Sequence, residues 1–283
     1  MNDPLHLPTS ETLAQQLRAA LTDFACVQWR AQTASTNAQL LAQGRQASTP
    51  RPWLLGAHTQ QQGRGRAGRT WHNRAGAALM FSCAFDVSLC ARLLPALSPL
   101  AGVAACEALR EWISPQMQHH LRLKWPNDVL WRGAKLAGIL VETTGAGGGL
   151  VVMGLGLNLL DAPVLSQSLQ RPIADWRGVV QEDDHAGYVS AAQMVAGIAR
   201  AWKNLAQPQT LDLKNLPPRF AAVDALYGQT VDVLDQGRVI QSGVACGVDD
   251  SGRLLLRHAS NQLLPVTVGE VSVRARAIRT ESP

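Results

Sequence analysis

The sequence predicts an α+β protein: a mixed, mainly antiparallel sheet with helices packed on it, followed by a small C-terminal β-barrel. Three observations carry this. Short apolar runs separated by turn residues (Gly76 to Phe85, Leu121 to Trp131, Lys135 to Glu142, Leu150 to Met153) follow one another as antiparallel strands do. Helical periodicity appears in separate stretches, Thr9 to Phe24, Ala38 to Gly44, Ser98 to Ile113 and Ser190 to Leu205. Beyond Pro217-Pro218 only β-like runs remain.

In the first helix Leu13, Leu17, Ala20, Leu21 and Phe24 share a face behind Ser10 as cap. A strand at Cys26 to Arg30 leads to Ser35-Thr36-Asn37, residue types that favour the N-cap of the helix that follows. Gln46 to Arg51 is a surface loop flanked by prolines, and Trp53 to Ala57 a strand. Ser98 is expected to cap a helix with Pro99 in its first turn, ended by Pro115. Leu121 to Trp131 reads as strand, Pro-containing turn and strand, with a hairpin turn at Arg132-Gly133 and a flexible turn at Gly145 to Gly149. Gly154 and Gly156 mark either close approach to the strand by a ligand or chain, or a bulge. Asp161 to Gly187 carries no legible pattern. In the helix from Ser190, Met194, Val195, Ile198 and Trp202 form one buried face. The last strands are Thr230 to Leu234, Val239 to Val248, Leu254 to His258 and Leu263 to Val273. A barrel of about 60 residues is near the lower limit for independent folding, so it should lean on the main domain. The expected division is a helical lead-in at 1–33, a main domain at 34–218 and the barrel at 219–283.

With 283 residues and 46% hydrophobic content the chain can bury a sizeable core, and its net charge of +5 favours anionic partners. Five scattered cysteines without C-x-x-C spacing suggest neither a disulfide framework nor a zinc site, and fit a reducing cytoplasm. The N-terminus lacks a signal-peptide layout, and the longest uncharged run, Leu93 to Cys106, is interrupted by Pro95 and Pro99, so no membrane span is expected.

The chemistry centres on Gln60 to Trp71, QQQGRGRAGRTW. Gly63, Gly65 and Gly68 alternate with Arg64, Arg66 and Arg69, so backbone can approach a ligand that guanidinium groups surround. That suits a polyanion. The glycines satisfy G-x-G-x-x-G and nearly a P-loop, yet both motifs need a helix after the loop, where this sequence predicts a strand.

Three stretches in this order resemble the biotin protein ligase family: GRGRAGRTW at Gly63 to Trp71, KWPNDVLWRGAKLAGILVE at Lys124 to Glu142, and GLGLN at Gly154 to Asn158. Ser35-Thr36-Asn37 and the terminal Gly269-Glu270-Val271-Ser272-Val273-Arg274 also match. The resemblance implies a class II synthetase-like catalytic domain with an SH3-like barrel. It implies a two-step reaction in the cytoplasm: biotin and MgATP give biotinyl-5'-AMP and pyrophosphate, and a lysine of a biotin carboxyl carrier protein then takes the biotinyl group. That carrier belongs to acetyl-CoA carboxylase or a related biotin-dependent carboxylase. ATP and Mg2+ are then co-substrate and activator, with no permanently bound cofactor.

By the same resemblance, biotin is held by Ser35, Thr36, Asn37, Gln60, Arg64, Gly65, Arg66, Trp71, Lys135 and Gly138, and ATP or adenylate by Arg66, Gly68, Arg69, Trp71, Asn127, Lys135 and Asn158. Arg64, Lys135 and Asp128 are the implied catalytic residues. Carboxylate attack on a triphosphate is opposed by like charge, and arginines with a lysine relieve it. Asp128 either manages the acceptor amine or binds Mg2+, and a turn-capping aspartate is the plain alternative; for Trp71 the alternative is core packing. Ala67 stands where many members have arginine, Gln62 replaces a small residue, and His72-Asn73-Arg74 departs from the usual context. Only 34 residues precede Ser35, too few for the winged helix of the repressor members, so a ligase without DNA binding is expected, as monomer or homodimer. The competing readings are a lipoate or octanoate ligase or transferase, a nucleic-acid-binding module, and a biotin-binding protein without catalysis.

Overall fold

The computed structural model describes residues 5, 7–45, 49–72, 74–87, 91–144, 149–207, 213–269 and 271–276. Most of the turn expected at Gly145 to Gly149, half of the loop at Gln46 to Arg51, and Asn73, Cys90 and Glu270 fall outside these residues.

A seven-stranded sheet forms the main body, in the order β1-β2-β3-β7-β6-β5-β4. Its strands are β1 (Cys26–Thr33), β2 (Trp53–Gln60), β3 (Ala78–Val87), β4 (Leu121–Lys124), β5 (Asp128–Trp131), β6 (Ala134–Thr143) and β7 (Gly149–Asn158). Only β1 and β2 run parallel, joined by helix α2 (Thr36–Gly44); every other pair is antiparallel. Alternation along β7 shows how the sheet is covered. Val151, Met153, Leu155 and Leu157 join the main core beneath α1 (Ser10–Ala20), α3 (Leu97–Arg110) and α6 (Ala191–Ala206). Leu150 and Val152 point the other way, into a smaller cluster with Leu40 of α2. Helices therefore lie on both faces. Next to α2, that second face carries Gly154 and Gly156 and is left open.

Several elements differ in detail from the sequence expectation. Thr9, rather than Ser10, caps α1, its hydroxyl accepting from the Thr12 amide at 3.2 Å. Ser98 is not a cap: a 3-10 turn at Ala91–Ala96 runs directly into α3, placing Pro99 in a first turn whose amides need no intrahelical partner. The illegible segment folds as α4 (Ala162–Leu169) and α5 (Trp176–Glu182). Leu93–Arg110 has the length and apolarity of a membrane span but is mostly buried in the core. The Ser190 cap is complete, with Ser190 Oγ accepting from the Gln193 amide and Gln193 returning a bond to the Ser190 amide. Ser190→Ala should lower unfolding stability by about 1 kcal/mol, read by urea titration.

After α7 (Leu216–Ala221) the chain forms a five-stranded antiparallel sheet in the order β11-β10-β9-β8-β12. Its strands are β8 (Thr230–Asp235), β9 (Arg238–Val248), β10 (Leu254–Arg257), β11 (Leu263–Val266) and β12 (Ser272–Ala275). β11 and β12 are opposite edges of this sheet, so the run Leu263 to Val273 cannot be one strand. The sheet leans on the main body as its size requires. Val231, Val233, Leu254 and Leu256 join the main core, and Trp125 Nε1 donates to the Gly252 carbonyl at 2.9 Å.

The four described cysteines are free. Burial pushes the Cys83 thiol well up and the Cys106 thiol to about 12, as expected of inert core groups.

Candidate active site

Beside α2 lies a cavity of about 570 Å³, within the ~300–1,000 Å³ range of small-molecule sites. One end is polar and uncharged. Ser35 caps α2, its Oγ 3.4 Å from the Ala38 amide, so the cap reading holds for Ser35 while Thr36 and Asn37 begin the helix facing the cavity. The Gln60 side-chain oxygen accepts from the Thr36 amide at 2.8 Å. Thr36 Oγ1 lies 2.6 Å from Ser82 Oγ, which donates to Asn37 Oδ1 at 2.5 Å.

The glycines of β7 make room for this arrangement. The ladders on both sides of β7 run without a bulge, which leaves close approach as the reason for them. A Cβ at Gly154 would collide with Asn37 Oδ1, and one at Gly156 would lie 2.5 Å from Cε2 of Trp71. Gly156→Ala should therefore displace Trp71 and weaken ligand binding by about 5- to 150-fold, for an overpacking cost of ~1–3 kcal/mol. Ligand titration by calorimetry, with circular dichroism as the fold control, measures it.

The other end is cationic. Residues 63–71 fold back on themselves: Trp71 N donates to the Gly63 carbonyl at 2.9 Å and Gly65 N to the Arg69 carbonyl at 2.7 Å. At the tip Ala67 and Gly68 both have positive φ, 53° and 66°, a turn that glycine suits and alanine tolerates at a cost of about 1 kcal/mol. Arg66 reaches inward to Asn127 Oδ1 at 3.1 Å and to the carbonyls of Gly269 and Val271. Burial lowers its pKa, opposed by the charge of Asp128. Asn127 is fixed in turn by donating to the Ile139 carbonyl at 2.6 Å. Lys135 Nζ lies 2.5 Å from Asp128 Oδ1 and 5.7 Å from the centre of the Trp71 ring. Burial also lowers the pKa of Lys124, which faces Asp128 and is further depressed by Lys135, Arg171 and Arg274.

Thirteen of the residues expected at the site line this cavity: Ser35, Thr36, Asn37, Gln60, Arg64, Gly65, Arg66, Arg69, Trp71, Asn127, Asp128, Lys135 and Gly138. Gly68 and Asn158 do not. Gly68 serves the turn, and Asn158, buried at the end of β7, donates to the carbonyls of Ala174 at 3.1 Å and Lys135 at 3.4 Å. Sequence reasoning missed Ser82, Lys124, Gln170, Arg171 and Arg274. Ser82 had a signal, as a hydroxyl on an otherwise apolar strand, and Lys124 and Arg274 sit inside quoted motifs. Arg171 had none. It reaches the cavity because Lys135 N donates to the Pro172 carbonyl at 3.1 Å and Ala174 N to the Lys135 carbonyl at 2.9 Å, pinning this segment to β6.

Among the described lining residues seven are cationic (Arg64, Arg66, Arg69, Lys124, Lys135, Arg171, Arg274) and one, Asp128, is a carboxylate. Such an excess fits a polyanion next to a small polar, uncharged group.

Comparison with known proteins agrees. Residues 29–158 match the biotin/lipoate A/B protein ligase family and residues 227–274 the biotin protein ligase C-terminal domain. A biotin–acetyl-CoA-carboxylase ligase of Mycobacterium tuberculosis is 32% identical over 95% of this chain and 97% of its own. One from Paracoccus denitrificans is 35% identical over 83% of this chain and 96% of its own. Among solved structures, the Aquifex aeolicus biotin protein ligase in complex with biotin and ATP shares the fold, with a TM-score of 0.64 at 21% identity over 88% of this chain and 98% of that one. The order of motifs, the two matched domains and identity across nearly the full length of both chains place this chain in the biotin protein ligase family.

Proposed function

We propose that the chain is an ATP-dependent biotin protein ligase that makes biotinyl-5'-AMP and transfers the biotinyl group to a lysine of a biotin carboxyl carrier protein domain. The observation that carries this reading is one cavity joining a neutral hydrogen-bonding end to a strongly cationic one. A urea-type head group needs fixed donors and acceptors, and Ser35, Thr36, Asn37 and Gln60 supply them. Trp71 and the Gly138 backbone form the wall along the ring and chain.

In the first step a carboxylate oxygen attacks the α-phosphorus, an O–P bond forms, and pyrophosphate leaves. Lys135 and Arg64 draw the two anions together at the junction of the two ends, and Arg66 and Arg69 hold the phosphates. In the second step a lysine amine attacks the acyl carbon and AMP leaves with the bonding electrons. The amine must first lose a proton, which Asp128 is placed to receive once the departing phosphates loosen Lys135. The described residues hold no cluster of three metal-ligating side chains. Mg2+ would enter with the triphosphate and be held there by Asp128, where it would neutralise phosphate charge.

The acceptor assignment is tested by incubating the protein with biotin, MgATP and an apo carrier domain from acetyl-CoA carboxylase. Attachment of one biotin per domain, abolished when the carrier lysine is changed to arginine, is the expected result. An unmodified carrier in the presence of accumulating adenylate would overturn the carrier assignment.

A further inference from the structure

We infer that Glu142, which does not line the cavity, is a positioning residue that sets the donor and acceptor pattern at its polar end, acting through Asn37 and Ser82. The inference deepens the reading of that end as the site of a cyclic urea and rests on it.

A carboxylate only accepts hydrogen bonds, so the Asn37 atom 2.8 Å from Glu142 Oε2 must be its amide nitrogen. The same nitrogen donates to the Leu140 carbonyl at 3.2 Å. With both amide hydrogens committed, Asn37 Oδ1 must face inward, where Ser82 donates its one hydroxyl hydrogen. Ser82 Oγ is then an acceptor, and Thr36 directs its one hydroxyl hydrogen there at 2.6 Å rather than to the more distant Gln60 Oε1 at 3.2 Å. The Thr36 amide, donating to Gln60 Oε1, fixes the orientation of the Gln60 amide as well. The choices at Ser82 and Thr36 thus follow from Asn37, which Glu142 and the Leu140 carbonyl orient, while the Thr36 backbone sets Gln60.

Three features single out Glu142 as the source. It is half-buried on β6, paired across the ladder with Val152, so its side chain is held beside α2. None of the ion pairs among the described residues includes it. The space that Asn37 occupies exists only because position 154 is glycine.

Glu142→Gln keeps the shape but brings an amide that can donate as well as accept. Asn37 then keeps only the longer bond to the Leu140 carbonyl as an obligatory acceptor for its nitrogen, which loosens the orientation of its amide and with it the hold on Ser82 and Thr36. The measurement is the KM for biotin, the KM for ATP and kcat of pyrophosphate release. Glu142→Gln should raise KM for biotin ~10-fold or more, the value of one or two misdirected hydrogen bonds, while KM for ATP and kcat stay within about twofold. Glu142→Asp keeps the charge and should recover most of the loss. Ser82→Ala breaks the chain at its middle and should give the same biotin-selective effect, which serves if Glu142→Gln does not fold. A folded Glu142→Gln protein with unchanged KM for biotin would overturn the inference and leave the functional reading intact. So would equal rises in both KM values that Glu142→Asp does not rescue, the signature of a merely structural role. A wild-type protein without biotin-dependent release would overturn both.

Discussion

Lys135→Ala should lower biotin-dependent pyrophosphate release by about 100- to 1,000-fold, the usual effect of removing one preorganised group that stabilises developing charge. Six other cations line the cavity, and only Arg64 shares with Lys135 the proposed junction of its two ends. A Cβ at Gly138 would be 3.2 Å from both Lys135 Nζ and Cζ3 of Trp71, which shows how tightly ammonium, ring and β6 backbone converge there. The fold should survive, because the attachments of residue 135 to Pro172 and Ala174 are made by its backbone. Asp128 loses its partner, but its side chain is 26% exposed and water replaces the ammonium, so the stability change should be within ~1 kcal/mol. Lys135→Arg should not restore the rate, since a planar fork cannot occupy the site of a compact ammonium. Circular dichroism and a pyrophosphate assay on the same preparation decide the matter; a folded variant with normal release would remove Lys135 from the chemistry.

Arg66→Ala should raise KM for ATP by about 10- to 100-fold, as expected for loss of hydrogen bonds from a charged group. Arg66 ties the glycine loop both to Asn127 and to the C-terminal segment at Gly269 and Val271. Removing it subtracts a cation from the phosphate end and releases the segment that brings Arg274 to the cavity. Arg66→Lys should behave more like the alanine variant than like wild type, because an ammonium keeps the charge but cannot span acceptors on two separate segments. Initial-rate measurements with ATP varied at saturating biotin give the value. An ATP KM unchanged by either substitution would place the triphosphate elsewhere.

The site was legible where residue type and local context agreed. Gly63 to Trp71 could be read as an anion loop because glycines and arginines alternate in it, and Ser35 as a cap because its side chain bonds the backbone three residues on. What the sequence could not show was convergence. Arg171 follows a helix without a strong apolar face and reaches the cavity only through backbone pairing of residues 172–174 with Lys135. Glu142 reads as the polar end of an apolar strand until α2 is seen to lay Asn37 against it. Asn158 shows the converse: its place in the GLGLN motif suggested the nucleotide, whereas its side chain bonds backbone carbonyls behind the cavity wall. The strand glycines were ambiguous for a similar reason. Close approach and a bulge look alike in sequence, and the unbroken ladders of β7 separate them.

The most direct measurement is pyrophosphate release from MgATP on addition of biotin, with lipoate, octanoate and no acid as parallel reactions. Release with biotin alone is the predicted result. Release driven by lipoate or octanoate would contradict the assignment of the polar end to a urea head group, and silence with every acid would contradict the proposed acid activation itself.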